Sequence, residues 1–226
     1  MSNPDAPIWR FSSGVTPYRD FDDTSNIPIP ISHPLFLNTE NVISLDFPIW
    51  FNINNRNIMM VSQDPLPRSG WYNDCRDAVC STCFGMHNPT WRANGIGGKR
   101  MWTLVQSLVN AGIGIYITDC KKYYIRTVDN KHIEETQEQL SAYSSMLKAE
   151  IQAINPRAIV AFGKKAAVSL SQLNVTDSIP ILELPHFSGQ AQGKIREFFG
   201  VDSEKPFSVD DQTKMYTNVI LKEIGE

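Results

Sequence analysis

Residues 58–65 read IMMVSQDP, a short apolar run that ends in polar residues and a proline. Three later segments have the same form: GIYITDC at 114–120, AIVAFG at 158–163 and ILELPH at 181–186. Short apolar runs bounded by turn residues are typical of buried strands. Helix-like sequence separates each run from the next, so the pattern predicts four parallel strands that alternate with helices.

The intervening segments carry the period of amphipathic helices. In GKRMWTLVQSLVNAG, at 98–112, apolar residues recur at i, i+3, i+4 and i+7 and the pattern stops at a glycine. A second helix within 133–155 is predicted to close before Pro156, because proline disfavours helical geometry in the residue before it. Two more helices are predicted at 164–173 and 210–224. This order predicts an α/β fold, a three-layer sandwich around a central four-stranded, mostly parallel sheet.

Length and composition indicate one globular domain. The chain has 226 residues, of which 42% are hydrophobic and 20% charged, and these values are ordinary for a single domain. No apolar run approaches the roughly 18 residues that a membrane-spanning helix needs. The first residues also lack the basic and apolar regions of a secretory signal, so we expect a cytoplasmic protein that does not enter a membrane.

Residues 1–56 differ in composition and periodicity from the rest of the chain. They are rich in Pro, Asn and Asp, as in NIPIPISHPLFL at 26–37, and show no sustained helical or strand period. The sequence therefore predicts an irregular wrapping segment over 1–56, followed by the α/β domain over 57–226.

Polar residues directly after the predicted strands are the first candidates for a site, because such sheets bind ligands at the carboxyl ends of their strands. Four motifs lie at or between these ends: SQDPLP at 62–67, CFGM at 83–86, YITD at 116–119 and PHFSGQAQGKIREFFG at 185–200. In content and order they resemble the motifs of the uracil-DNA glycosylase superfamily. The resemblance implies an enzyme of that fold that removes a base from DNA without a cofactor, and we expect a monomer.

The resemblance also implies roles for individual residues. Asp64 matches the aspartate that orients or electrostatically assists the attacking water, and His186 matches the histidine that bonds to the base O2. Phe84 matches the phenylalanine that stacks on the flipped base. We expect Gln63, Leu66 and Asp119 to line the base pocket, and Ser188, Gly189, Gln190, Lys164 and Lys194 to contact DNA.

These residue types suit the chemistry of base removal. Enzymes that act on a base take the nucleotide out of the stack, and breaking the glycosidic bond leaves positive charge on the sugar and negative charge on the base. A carboxylate at Asp64 would stabilise the first charge and a hydrogen bond from His186 the second. Because the net charge is −3, attraction to DNA requires a local basic surface. Its candidates are Lys99, Arg100, Lys121, Lys122, Lys194 and Arg196.

Two departures from the family motifs bear on the substrate. Asp119 replaces an asparagine that reads uracil, and an ionised carboxylate only accepts hydrogen bonds, which suits a base edge with an amino group. A protonated Asp119, or a protonated ring, would complete two hydrogen bonds with cytosine. Leu66 replaces a tyrosine that packs against C5. Since removal of plain cytosine would damage the host genome, we predict a C5-modified cytosine, hydroxymethylated or glucosylated, as in defence against phage DNA.

Three other functions stay open at this point. Uracil excision in base excision repair is one, a catalytically inactive DNA-binding protein of the same fold is another, and a structural or protein-interaction role is the third. His-Phe-Ser at 186–188 stands where the family has His-Pro-Ser. The leucine that fills the vacated stack in many relatives has no match, unless Gln190 or Gln192 takes its place.

The cysteines suggest a further alternative. Cys75, Cys80, Cys83 and Cys120 could supply four thiolates to zinc or an iron–sulfur cluster. Their positions differ from those of the cluster-bearing relatives, so we expect free thiols and no metal. GKK at 163–165 lacks the preceding glycine of a phosphate loop, which argues against a nucleoside triphosphatase.

Overall fold

The computed structural model describes residues 8–11, 42–46, 48–65, 77–81, 83–86, 92–93, 96–125, 135–173 and 179–226. The strands within these residues are β1 (Ile8–Phe11), β2 (Val42–Asp46), β3 (Ile49–Phe51), β4 (Asn57–Ser62), β5 (Asp77–Ser81), β6 (Gly114–Asp119), β7 (Tyr123–Ile125), β8 (Ala158–Phe162) and β9 (Ile181–Leu184). The α-helices are α1 (Ile96–Asn110), α2 (Gln137–Ile154), α3 (Lys164–Ser171), α4 (Gln192–Phe199) and α5 (Val209–Glu223).

The central sheet has the strand order β3-β6-β4-β8-β9. The four predicted strands are confirmed as β4, β6, β8 and β9, and neighbouring members of this group are parallel. The sheet nevertheless has five strands and not four, because β3 adds to β6 in antiparallel orientation. The three residues of β3 are all apolar and show no alternation of apolar and polar side chains. Its partner β6 is distant along the chain, so no local pattern predicts this strand.

A second sheet has the order β1-β5-β2-β7. Strand β5 is parallel to both β1 and β2, and β7 is antiparallel to β2. Strands β1, β2 and β3 all fall within residues 1–56, for which the sequence predicted no regular structure. These three strands form by pairing with strands far along the chain, and local periodicity does not indicate such pairing.

Apolar side chains cover both faces of the central sheet. Along β4, Ile58 and Met60 belong to one buried cluster, whereas Met59 and Val61 belong to another. This alternation follows from the two-residue period of a strand, and burial on both faces is typical of parallel sheets. Helices α1 and α5 contribute to the first cluster and α2 and α3 to the second, so the predicted three-layer α/β sandwich is confirmed.

The predicted helices form close to their expected limits. Helix α1 buries Met101, Leu104, Val105 and Leu108 and ends at Asn110. Helix α2 begins after Thr136, which forms a capping box with Gln139, and ends directly before Asn155 and Pro156 as predicted. Helix α4 was not predicted, because its residues were interpreted only as part of a motif. None of the helices in the described ranges is both long and apolar enough to cross a bilayer.

Candidate active site

The loop after β4 holds Gln63 and Asp64 at the carboxyl edge of the central sheet. Pairing continues past the strands, since the Cys120 N–H donates to the Ser62 carbonyl at 2.9 Å and the Lys121 N–H to the Gln63 carbonyl at 3.0 Å. The Gln63 side-chain amide in turn donates to Asp64 Oδ2 at 2.7 Å. These contacts hold the Asp64 carboxylate beside the end of β6, in a partly exposed position that water can reach.

Phe84 lies in a strained turn, the short 3₁₀ helix Cys83–Gly85. Its φ of 59° is in the left-handed region, which is uncommon for a residue other than glycine. Its ring meets Phe162 edge-on with centroids 5.4 Å apart, and its centroid is 5.1 Å from that of His186. Strain of this kind persists only where the surroundings hold it and concentrates at functional sites. Phe84 and His186 thus share one site.

His186 follows β9, and its backbone is anchored on both sides. The Tyr216 hydroxyl donates to the Pro185 carbonyl at 2.8 Å, and the Ser188 N–H donates to the His186 carbonyl at 2.8 Å. Burial lowers the pKa of His186 below its ordinary value, so its imidazole is neutral at neutral pH. A neutral imidazole still donates one N–H, which suits a hydrogen bond to an oxygen that gains negative charge.

Asp119 ends β6 in register with Ser62 of β4, and its side chain is enclosed, with 1% of its surface exposed. Among the described residues, no N–H or O–H group donates to either of its carboxyl oxygens, and the Cys83 thiol faces them. Burial raises the pKa of Asp119 well above its ordinary range and the charge of Asp46 raises it further, while the Cys83 thiol and Lys122 oppose the shift. The neutral acid is therefore the favoured form.

Behind Asp119 lies a buried ionic cluster, which consists of Asp46, Thr118, Lys122 and Glu150. The Lys122 ammonium is 3.0 Å from Asp46 Oδ2 and 2.8 Å from Glu150 Oε2, and it donates to Thr118 Oγ1 at 2.6 Å. Burial raises the pKa of Glu150 to about 7 although Lys122 opposes this shift. Burial lowers the pKa of Lys122, but Glu150 and Asp46 outweigh this effect and raise it overall.

Two cavities adjoin at the carboxyl edge of the sheet. The first, of about 740 Å³, is lined by His186 and by Gly163, Lys164, Glu183, Leu184, Pro185, Ser188, Gln190, Ala191, Lys194 and Phe198. The second, of about 550 Å³, is lined by Gln63, Lys121, Lys164, Lys165, Val168 and Ser169. Lys164 lines both, because the chain turns at Gly163, with φ 91°, from β8 directly into α3. We call the two cavities together the basic groove.

A family comparison agrees with this geometry. The model of the uracil DNA glycosylase superfamily matches residues 48–207, a range that contains Asp64, Phe84, Asp119 and His186. The chain belongs to the uracil-DNA glycosylase superfamily. No protein of curated function matches it. The family indicates DNA glycosylase activity in general and DNA as the partner.

Most of the predicted site residues lie along one edge of this glycosylase fold. Gln63 and Asp64 follow β4, Asp119 ends β6, Lys164 follows β8 and His186 follows β9. Ser188, Gln190 and Lys194 line the first cavity with His186, and Gly189 begins the short 3₁₀ helix Gly189–Ala191. Their roles in catalysis and DNA contact stay predictions.

The two glutamines considered as substitutes for the missing leucine differ in their surroundings. The Gln192 side-chain amide donates to the Ser188 carbonyl at 3.1 Å and also pairs with Gln212. Gln190 lines the cavity beside His186. Of the two, Gln190 is therefore the one that faces the cavity at His186, and its role in base flipping stays a prediction. Leu66 and Cys75 lie outside the described residues.

Four of the predicted basic-surface residues bond to other residues of the protein, and one of them is Lys121, whose ammonium pairs with Glu135. Lys122 is completely buried in the ionic cluster, so its inclusion in that surface was wrong. Arg100 donates to Gln212 at 2.7 Å. Arg196 donates to the carbonyls of Asp202 and Lys205. Sequence alone does not separate such structural cations from solvent-facing ones.

The central sheet separates the two cysteines whose side chains the structure describes. Both thiols are buried and free, but Cys83 belongs to the apolar cluster on one face and Cys120 to the cluster on the other. Thiols on opposite faces of a sheet are poorly placed to bind one metal ion, which disfavours the four-thiolate alternative. Burial also raises the pKa of Cys120 to about 12, so its reactive thiolate form is disfavoured. Within the described ranges, no group of three potential ligands surrounds a metal position.

Sequence reasoning missed three residues at or near the site. Lys165 lines the second cavity beside Lys164, and the signal was the GKK segment directly after β8. Phe198 lines the first cavity and is 48% exposed, and its place in the Phe-Phe-Gly segment could have drawn attention to it. Asp46 follows the apolar run VISL, the same form as the other strand ends, but it lies in the segment predicted to be irregular.

Proposed function

We propose that this protein is a DNA glycosylase that removes a C5-modified cytosine from DNA. The observation that carries the proposal is the enclosed carboxyl of Asp119, whose two oxygens accept from no N–H or O–H group within the described part of the chain. It lies at the strand end that adjoins Asp64 and beside the Cys83 thiol next to Phe84. A polar group buried without partners is unfavourable, and an incoming base edge would supply the missing hydrogen bonds.

The neutral form of Asp119 matches the Watson–Crick edge of cytosine. A protonated carboxyl has one donor and one acceptor, whereas cytosine presents an acceptor at N3 and an amino donor at N4. The Asp119 hydroxyl would donate to N3 and its carbonyl oxygen would accept from N4. Shared protons of this kind also favour departure of the base, because they offset negative charge that develops on the ring.

The C5 substituent is inferred from Leu66. A leucine there lacks the ring that packs against C5 in uracil-specific relatives, so a substituent at C5 meets less resistance. Less resistance alone does not exclude plain cytosine, so the proposal includes a requirement for the C5 substituent, which would spare the plain cytosine of the host. A role in defence against foreign DNA with hydroxymethylated or glucosylated cytosine follows from this choice.

Asp64 and His186 supply the chemistry of bond cleavage in this proposal. The bond between the base N1 and the sugar C1′ breaks, and its electron pair leaves with the base. The Asp64 carboxylate stabilises the positive sugar and orients water, which adds to C1′ and loses a proton as the base takes one up. The neutral His186 donates to the base O2, where negative charge grows.

Uracil is the second candidate base, and the same carboxyl favours it. A neutral Asp119 can also donate to O4 and accept from N3–H, as the amide of an asparagine does. Both edges therefore fit one protonated carboxyl, and base release from matched duplexes decides between the two candidates. A catalytically inactive DNA-binding protein is disfavoured because Asp64 and His186 are both present at the expected edge.

The test is base release from matched duplexes that contain uracil, cytosine, 5-hydroxymethylcytosine or its glucosylated form, with alkaline cleavage of the abasic product. We expect release from the modified-cytosine duplexes and none from plain cytosine. Release from uracil alone would replace the proposal with the second candidate. DNA binding without release from any duplex would make the protein a binding module.

The basic groove predicts a salt-dependent contact with the DNA backbone. Replacing Lys164 and Lys194 together by alanine removes two cations that border the cavity at His186. Affinity for DNA falls as salt rises, and each lost phosphate contact reduces the magnitude of the slope of log affinity against log salt by about 1. We expect a slope shallower by about 2 in titrations followed by fluorescence anisotropy. Lys214→Ala, an exposed residue of α5 that lines neither cavity, is the control and should leave the slope unchanged.

A further inference from the structure

The side chain of Asp46 bonds to the backbone N–H of Asp119 and not to the Asp119 carboxyl. Asp46 ends β2 in the second sheet, and its side chain is almost completely buried. Asp46 Oδ2 accepts from the Asp119 N–H at 3.1 Å and from the Thr118 hydroxyl at 2.6 Å. One carboxylate oxygen therefore holds the last two residues of β6, the strand that ends at Asp119.

The rest of the ionic cluster keeps Asp46 in place. Lys122 bonds to the same Oδ2 and joins it to Glu150 on α2. The Asp46 N–H also donates to the Lys122 carbonyl at 2.8 Å, which fixes the end of β2 against the segment after β6. Breaking such a buried pair is costly because it leaves an uncompensated charge, so Asp46 has little freedom to move.

The charge of Asp46 bears directly on the state of Asp119. The groups that face the Asp119 carboxyl are Asp46 from β2, Asp64 from the loop after β4, Cys83 from the 3₁₀ helix and Lys122 from the segment after β6. After burial itself, Asp46 has the largest effect, and it raises the pKa of Asp119. Like charges close together disfavour double ionisation, so an anionic Asp46 favours a neutral Asp119.

We propose that Asp46 is a positioning residue for base recognition, which anchors the Asp119 backbone and keeps the Asp119 carboxyl in its neutral, donor-bearing form. This inference rests on the proposed role of Asp119 in reading the base. An ionised Asp119 would only accept hydrogen bonds and could not donate to cytosine N3. Asp46 thereby selects which base edges the pocket accepts without touching the base.

The kinetic test is the pH profile of kcat/KM for base release by Asp46→Asn. The substitution keeps an acceptor oxygen for the Asp119 N–H and removes the negative charge, so Asp119 ionises at lower pH. Because the neutral acid is the competent form, activity falls as the pH rises through its pKa, and this fall should move to lower pH in the variant. We expect kcat/KM about tenfold below wild type on the alkaline side, which corresponds to a shift of about one pH unit.

Two further variants separate this role from a general loss of structure. Glu150→Gln alters the same ionic cluster, but residue 150 does not face Asp119. The fall of kcat/KM at alkaline pH, the alkaline limb of the profile, should therefore occur at the same pH in this variant as in wild type. In an Asp119→Asn background the base-reading group no longer titrates, so adding Asp46→Asn should cause no further shift. A limb that moves equally in Glu150→Gln and Asp46→Asn, or that still moves in the Asp119→Asn background, would overturn the proposal.

A measurement without substrate separates this proposal from the proposed function. In protein with ¹³C-labelled aspartate carboxyls, the Asp119 signal is assigned by its loss in Asp119→Asn and titrated by NMR. We expect it to titrate well above the ordinary aspartate value of about 3.9 in wild type and at lower pH in Asp46→Asn. Titration at the ordinary value in wild type would refute the role of Asp46, even if base release occurs. The expected titration without base release would count against the proposed function alone.

Discussion

Asp64→Asn is expected to lower the rate of base release by about 10²- to 10⁴-fold, the range typical of a lost catalytic carboxylate, while DNA affinity changes little. In wild type the Gln63 side-chain amide donates to Asp64 Oδ2 at 2.7 Å. The asparagine amide is nearly isosteric with the carboxylate, and its oxygen can accept the same hydrogen bond. It has no negative charge with which to stabilise the developing positive sugar. Single-turnover release assays and binding titrations on the same duplex measure the two effects separately.

The matched control is Asp210→Asn, which neutralises an exposed carboxylate in the first turn of α5. It should leave base release at the wild-type rate. If Asp64→Asn retained more than about a tenth of wild-type activity, the catalytic role of this carboxylate would be wrong. If it lost DNA binding in parallel with release, Asp64 would be a structural or binding residue.

Asp119→Asn is expected to lower the ratio of modified-cytosine release to uracil release by about 10- to 100-fold, since a bidentate contact to a base discriminates by roughly 1–3 kcal/mol. The carboxyl proton can move between two oxygens, whereas an amide has a fixed donor and a fixed acceptor. In the orientation that reads uracil, the amide opposes the donor of cytosine N4 with its own donor. Competition between the two duplexes in one reaction measures the ratio directly.

The same variant should also lose the alkaline fall in kcat/KM, because an amide does not titrate. A neutral Asp119 favours activity at low pH, so the wild-type fall occurs as the pH rises through its raised pKa. His186 acts in the opposite direction: its lowered pKa keeps it neutral and extends activity to lower pH. An unchanged base ratio together with an unchanged pH profile would remove Asp119 from base recognition.

The central strands and the site positions at their ends could be predicted from the sequence because both depend on local patterns. Four apolar runs of strand length became β4, β6, β8 and β9, and the residues just after them lie at one edge of the sheet. Parallel strands joined by helices must place their carboxyl ends together. Asp64 and His186 therefore come to the same edge although they are far apart along the chain.

The environment of Asp119 was decided by tertiary structure alone. The sequence indicated a carboxyl at the base-reading position, but its neutral form depends on burial and on Asp46, which arrives from a separate sheet. Likewise Lys122 is of a residue type that is usually exposed. It is nevertheless buried, because Asp46 and Glu150 compensate its charge. Pairings between distant segments created these contacts, as they created β3. Local periodicity determines which residues form a strand, whereas burial and charge compensation exist only once distant strands and helices have packed together.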